Sequence, residues 1–550
     1  MQGESIEKLV LGEILQSRAE SHRDETFLEF RNGTLSFGQV DEESNRVAQG
    51  LSFAGVRAGH HVAVMLPNCP EIVFVIFALA RLGAVAVPVN VAYRGELLWQ
   101  LLAGSDCSTL IIDEQYADRL PGTPAALPDL RRVVVRADGL PPDRAGSGGE
   151  HPPRDRGWQQ LRLSGLLVHG AARPAHRARF SDLLAIMHTS GSTGPSKGAL
   201  VPHALALTCA QDVFDFVNPG GGRIYCPLPL FHAAGLWDGV LSALLSGGSI
   251  AVVERFSVSR FWDDVRHFDA KVAISVFSML PILLNQAPTA RDKDHPLEVF
   301  YTGKSTLDAK LHERFGVRSV EAYTSTEAGV PLASPFGHWR TGSCGQVNGR
   351  RFEAAVVDEC DHLLPPGVPG ELVLRPKQPY VLTGGYYKRF DATAHAFRNM
   401  WFHTGDRVRQ DGDGYFYFMD RMSDGIRRCG ENISAFDIEL EVNTHPAVQE
   451  CAAIAVPSEL EEHEVKLTVV LRQGASLTHE QLLAHCLEKL PKFMVPRYLE
   501  FAAALPRTPT DKVAKHELRA AGARGITAST WDRQRPGFVP VPRAQAGAPV

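Results

Sequence analysis

No cysteine in this chain stands three residues from another. The nine cysteines are scattered and odd in number, which excludes a disulfide framework or a CxxC zinc site and fits a reducing compartment. Runs of lysine and arginine interleaved with aromatics are missing too, and the formal net charge of -5 leaves no basic excess, so nucleic acid is not an expected partner. Long apolar spans are absent: the most apolar stretch, Ile72 to Val89, is broken by Arg81, Gly83 and Pro88. The opening MQGESIEKLV is charged from Glu4 onward and lacks the apolar core of a signal peptide. The protein is therefore expected to be cytoplasmic, with no membrane span. What remains is 550 residues, 44% hydrophobic and 22% charged, the composition of a globular protein of roughly three or four domain-sized units.

Along the chain, helix-like and strand-like segments alternate. Phe37, Val40, Ser44, Val47 and Leu51 recur at helical spacing. HHVAVML then reads as a strand, EIVFVIFALARLG as a helix before AVAVPV, and GELLWQLLAG as a helix before STLIID. Such alternation predicts βα units around parallel sheets buried on both faces. Residues 137–179 are rich in Gly, Pro and Arg and are expected to form an exposed connector. SIAVVE, KVAISVF, EVFYTG and SVEAYTS resume the strands. From Arg351 the texture turns to strand and Pro-Gly turn, which suggests a smaller β-rich subdomain. From Ser423 a separate small α/β unit is expected, with helical SAFDIELEVN and HEQLLAHCLEKL around strands ECAAIAVP and EVKLTVVLR. The fold class is thus α/β: a large N-terminal domain (1–422) of two packed α/β layers plus the β-rich subdomain, then a small C-terminal domain (423–531). Residues 532–550, rich in Pro, Arg and Ala, are expected to be a disordered tail.

The stretch with the most chemistry is TSGSTGPSKG, Thr189 to Gly198, directly after apolar LLAIMH. Glycines let backbone N–H groups approach a polyphosphate, hydroxyls donate to it, and Lys197 neutralises its charge. The spacing departs from the Walker pattern GxxxxGK[ST], because Ser196 precedes Lys197 and Gly198 follows it. Taken alone the decapeptide reads equally as a solvated linker.

Five further stretches follow in order: PLPLFHAAG (Pro227 to Gly235), AYTSTE (Ala322 to Glu327), WFHTGD (Trp401 to Asp406), DRMSDGIRRCGENIS (Asp420 to Ser434) and PRTPTDKVAKHELR (Pro506 to Arg519). With the glycine-rich loop they resemble the motifs of the adenylate-forming superfamily of acyl-CoA synthetases, nonribosomal adenylation domains and luciferases. Within it the text is most similar to bacterial crotonobetaine/carnitine-type and medium- to long-chain acyl-CoA ligases. The resemblance implies that a carboxylate attacks the α-phosphorus of MgATP to give acyl-AMP and pyrophosphate, and that a thiol, normally CoA, then displaces AMP.

It also implies residue roles. Thr189, Ser190, Gly191, Ser192, Thr193, Gly194 and Lys197 would hold the β- and γ-phosphates. Thr326 would touch the α-phosphate and Glu327 would hold Mg²⁺; Gly303 and Tyr323 would border the adenine; Asp406 and Arg421 would bind the ribose. Lys512 would serve the first half-reaction, after which the small domain swings about a hinge near Ser423 and brings Gly430, Glu431 and Asn432 to the thiol tunnel. His232 would be the aromatic gate between acyl pocket and tunnel. Lys304 stands where the family carries a small residue, and its role stays open.

The Phe-His of PLPLFHAAG replaces the Phe-Asp of amino-acid adenylation domains, so an acid without an α-amine is expected. Its pocket is expected near Trp237, Phe277, Ser278, Tyr301 and Val330, apolar to mildly polar positions that suggest a hydrophobic carboxylic acid and offer no obvious counter-ion for a quaternary amine, though an aromatic could hold one by cation–π contact. ATP, Mg²⁺ and CoA are the expected small-molecule partners. A homodimer, hand-over to a separate carrier protein, and a non-catalytic nucleotide-binding role on the same fold stay open.

Overall fold

The computed structural model describes residues 5–137, 157–167, 170–189, 197–217, 220–276, 279–301, 305–334, 337–422, 426–428, 431–433, 435–457, 463–490, 494–508 and 512–534. Two seven-stranded sheets dominate it. The first runs in the order Arg318–Val320, Val299–Tyr301, Val272–Ile274, Ile224–Cys226, Ile250–Val252, Thr26–Phe30 and Gly33–Ser36. The second runs Gln159–Arg162, Arg132–Arg136, Cys107–Asp113, His61–Met65, Val85–Pro88, Leu183–Thr189 and Lys197–Pro202. Each is parallel except for one antiparallel edge pair. Central strands are buried throughout, because helices cover both faces and leave no solvated side.

The helix Phe37–Phe53 begins in a capping box: Ser36 Oγ accepts from the Gln39 N–H at 3.2 Å, and Gln39 Oε1 accepts from the Ser36 N–H at 2.8 Å. All five of its predicted apolar-face positions are buried. The helix Pro70–Leu82 is buried from Glu71 to Leu82, which is why it is apolar on every side. Arg81, which interrupts that run in sequence, points inward and is paired with Asp41 and with Asn45 Oδ1. Among the described residues no helix is long and apolar enough to cross a membrane.

A four-stranded antiparallel sheet, Phe352–Val357, Gly370–Pro376, Phe402–Gln410 and Phe416–Arg421, forms the β-rich part. Beyond it, Val448–Pro457, His463–Leu471, Tyr498–Phe501 and Trp531–Asp532 make a separate sheet. The helices Ala435–Val442 and His479–Lys489 contribute Ile438, Val442, Leu482 and Cys486 to a core shared with that sheet.

Three expectations change. Residues 159–162, inside the presumed connector, pair in parallel with Arg132–Arg136, and Trp158, Leu163 and Leu166 beside them are buried; backbone pairing and three apolar anchors outweigh the polar surroundings. SVEAYTS is two strands: Arg318–Val320 ends the first large sheet, while Tyr323–Ser325 turns into a hairpin with Gly329–Ala333. Asp532, placed in the tail, is instead a strand residue 5% exposed and ion-paired with Arg497.

Gly345 joins that hairpin's sheet to the β-rich part, its carbonyl accepting from the Phe416 N–H at 2.8 Å. Its φ is +99°, and a Cβ would meet the Ala333 carbonyl carbon at 2.1 Å. Gly345→Ala is therefore expected to cost roughly 3 kcal/mol, from a left-handed backbone plus overpacking, read as a lowered urea midpoint; an unshifted midpoint would refute the close-approach argument.

Candidate active site

The second sheet carries both ends of the glycine-rich decapeptide. Leu183–Thr189 and Lys197–Pro202 form an antiparallel pair whose last register partners are Thr189 and Lys197, so the decapeptide closes the end of a hairpin. Ser190, Gly191, Ser192, Thr193 and Gly194 lie outside the described residues, as do Gly303, Lys304, Phe277, Ser278, Ser423 and Gly430; Glu431 and Asn432 are placed by their backbone only. Thr189 and Lys197 line a cleft of about 430 Å³. Tyr323, Thr326, Glu327, Asp406, Arg421, His232, Trp237 and Lys512 line the same cleft.

Thr326 and Glu327 occupy the turn of the hairpin between Ser325 and Gly329, which are register partners. Gly329, at φ +63°, turns the chain there. Glu327 Oε1 accepts from the Tyr386 hydroxyl at 3.0 Å, and the Lys197 ammonium lies 5.2 Å from the centre of the Tyr386 ring. Burial pushes the Glu327 carboxyl above the usual carboxylate range. Hydrogen bonds from its own backbone N–H and from Tyr386, and the charge of Arg421, act against that rise.

Asp406 and Arg421 face each other across adjacent strands as register partners, with Arg421 Nε 3.0 Å from Asp406 Oδ1. The Tyr323 hydroxyl donates to Asp406 Oδ2 at 2.5 Å. Burial raises the Asp406 carboxyl while Arg421 pulls it back. Thr508 Oγ1 accepts from the Lys512 N–H at 3.1 Å. Lys512 is an exposed residue that lines the cleft, yet desolvation, then Arg421, push its ammonium below the ordinary lysine value, and Asp406 opposes them. His232 is pushed down to about 4, by burial first and by Lys512 second, so its imidazole is uncharged at neutral pH and a poor proton acceptor.

Two expected pocket residues are elsewhere. Val330 follows cavity-lining Gly329 on a strand, and successive side chains take opposite faces, so Val330 is buried in the core at 1% exposure. Tyr301 ends a central strand at 0% exposure and does not line the cleft. Sequence reading also missed residues. Tyr386, in GGYYKR, carries no motif that singles it out. His403 lies inside WFHTGD; its Nδ1 stands 2.9 Å from Glu371, which also binds Arg398 at 3.0 Å, and all three line the cleft. Asp238, which is not among the expected pocket positions, reaches the cavity wall beside Trp237 and Cys209. Helical periodicity gives no sign of it, because Ala234–Leu241 winds as a π-helix.

Among the described residues no three His, Cys, Asp or Glu side chains cluster as metal ligands.

The profile of the AMP-binding enzyme family matches residues 15–387, and that of the AMP-binding enzyme C-terminal domain matches residues 437–512, ending on Lys512. A crotonobetaine/carnitine–CoA ligase of Salmonella typhi is 30% identical over 497 residues, covering 88% of this chain and 93% of its own. The corresponding ligase of Salmonella paratyphi A is 30% identical over 526 residues, covering 92% and 98%. In structure, the anthranilate CoA ligase AuaEII, solved with anthranoyl-AMP, superimposes with a TM-score of 0.82 at 24% identity, over 93% of this chain and 96% of its own. ATP-bound MatB from Rhodopseudomonas palustris gives 0.80 at 24% identity, over 93% and 98%. With both family profiles matched in order and relatives aligned over nearly their full length, the chain belongs to the AMP-binding enzyme family, among the adenylate-forming acyl-CoA ligases.

Proposed function

We propose that this cleft joins a carboxylic acid to CoA in two steps. A carboxylate oxygen attacks the α-phosphorus of ATP, the bond from that phosphorus to the bridging oxygen breaks, and pyrophosphate leaves. The sulfur of CoA then attacks the acyl carbonyl carbon, the bond to AMP breaks, AMP leaves, and the thiol proton goes to water. The observation that carries this reading is the convergence of Lys197, Thr326, Glu327, Asp406, Arg421 and Lys512 on one cleft from segments more than three hundred residues apart.

An ionised carboxylate needs no general base, so the protein's task is to position it and to neutralise phosphate charge. Lys197, next to the glycine-rich loop, is assigned to the β- and γ-phosphates and Thr326 to the α-phosphate. Asp406 is assigned to the ribose hydroxyls, with Arg421 holding its carboxylate. Lys512 is assigned to the charge that builds between the attacking carboxylate and the α-phosphate. His232, uncharged, walls the acyl pocket from the thiol's path rather than moving a proton. A bound magnesium ion would shield the polyphosphate charge, and Glu327 is the carboxylate assigned to hold it. The division near residue 423 is assigned to a rotation of the small domain that withdraws Lys512 and brings residues 430–432 toward the thiol.

The test is acid-dependent ATP–pyrophosphate exchange over short, fatty and aromatic acids, beside thioester formation with CoA. Exchange with one acid class and thioester with CoA support the reading; ATP binding without exchange for any acid overturns it. Competition between CoA and a carrier protein for the acyl group decides the acceptor. Glu327→Gln keeps the side chain's size and removes its charge, so the magnesium concentration for half-maximal exchange should rise about tenfold or more. An unchanged magnesium titration would remove the metal role.

A further inference from the structure

The wall of the cleft around Asp238 is more polar than an acyl pocket needs. Three elements meet there: the helix His203–Val217 supplies Cys209, the π-helix Ala234–Leu241 supplies Trp237 and Asp238, and the strand Gly329–Ala333 supplies Gly329. These four residues line the cavity. A Cβ on Gly329 would sit 3.0 Å from the Cys209 Cβ, so glycine there keeps the wall open beside the thiol. π-helical turns are rare and concentrate at functional sites. This one spans eight residues and buries its length from Gly235 to Leu241.

Asp238 is 4% exposed. Among the described residues its one hydrogen bond comes from the Cys209 thiol, Sγ to Oδ1 at 3.3 Å, a weak donor. Among the described residues the influences on this carboxyl are burial, which pushes it up to about 7, and the Cys209 thiol, which lowers it. Around it other polar atoms are unanswered. Among the described residues the buried Trp237 indole N–H and the buried hydroxyl of Tyr301, which feels the Asp238 charge, have no hydrogen-bond partner. A buried carboxyl short of donors is costly, and native structures rarely keep one without a use. Its place in a cavity wall supplies one. His232, within electrostatic reach of Lys512, opens the segment, and Asp238 follows six residues later. The carboxyl stands in the cavity wall and is available to the acyl part of a substrate.

We propose that the acid activated in this cleft carries a hydrogen-bond donor, a hydroxyl or an amine, on its acyl part, and that Asp238 receives it. This rests on the acyl-CoA ligase reading above and narrows its substrate class. An acid with a bare hydrocarbon end leaves Asp238 as poorly satisfied in the complex as in the free protein; a donor-bearing acid relieves it. A site built to hydrogen-bond its substrate discriminates strongly against the analogue that lacks the group.

The experiment measures acid-dependent ATP–pyrophosphate exchange by the full-length protein over matched acids: hexanoate, 6-hydroxyhexanoate and 6-aminohexanoate; benzoate, 3- and 4-hydroxybenzoate, and 4-aminobenzoate. In at least one set, kcat/KM for a donor-bearing acid should exceed that for its bare parent about tenfold or more. Asp238→Ala should shrink that ratio to within about threefold, by raising KM for the donor-bearing acid. Asp238→Asn, which keeps an acceptor oxygen but no charge, separates the sources: a surviving ratio identifies a hydroxyl, a lost one an amine. Removing a poorly satisfied carboxyl does not endanger the core, and thermal melts of both variants check this. Bare acids exchanging as well as donor-bearing ones, or a ratio untouched by Asp238→Ala, overturn this inference alone and leave the carboxyl to a bound water. No exchange with any acid overturns the ligase reading and this inference with it.

Discussion

Lys512→Ala is expected to lower acid-dependent ATP–pyrophosphate exchange about a thousandfold, the scale of losing one aimed donor to developing transition-state charge. Formation of thioester from supplied acyl-AMP and CoA should stay within about threefold of wild type, because the α-phosphate bond to be made is already made. The asymmetry follows from position. Lys512 lines the cleft with Asp406 and Arg421, and Arg421 together with desolvation lowers its pKa. An ammonium held against another cation gains most when negative charge arrives between them. Equal loss in both half-reactions would remove the assignment, and so would full exchange in the variant.

Asp406→Ala is expected to reduce kcat/KM for ATP about a hundredfold, the value of one charge-assisted hydrogen bond at roughly 1.5–3 kcal/mol. The KM for the acid should move little. A stability loss of about 1–3 kcal/mol should accompany it, since the Tyr323 hydroxyl is left buried without its acceptor. Tyr323→Phe separates the two effects: it spares the carboxylate and should cost ATP far less than Asp406→Ala does. Equal rises in KM for ATP and for the acid would mean that Asp406 only holds the fold. Arg421 adds little to this stability term, since its side chain is 45% exposed and its ion pair is screened.

Much of this architecture was legible before any coordinates. Apolar periodicity located the helix Phe37–Phe53, whose predicted face is buried, and the βα alternation anticipated two parallel sheets. Where reading failed, backbone pairing decided. SVEAYTS looks like one strand, but its two halves bond to different partners. Gln159–Arg162 carries no apolar run and becomes a strand because Arg132–Arg136 offers it an open edge. Side-chain direction explains the pocket: Val330 is one residue from the cavity wall and faces away from it, and Asp238 faces in because a π-turn shifts the angle at which residues leave the helix.

The sequence by itself determined the family, the reaction class and the order of the motifs, since these depend on which side chains occur and at what spacing. Only the tertiary structure decided which of those side chains share a cleft, that Tyr386 binds Glu327 and Tyr323 binds Asp406, and that a carboxyl stands in the acyl wall. Hydrogen bonds and burial join residues far apart in the chain, and no local pattern records which distant partner a side chain will meet.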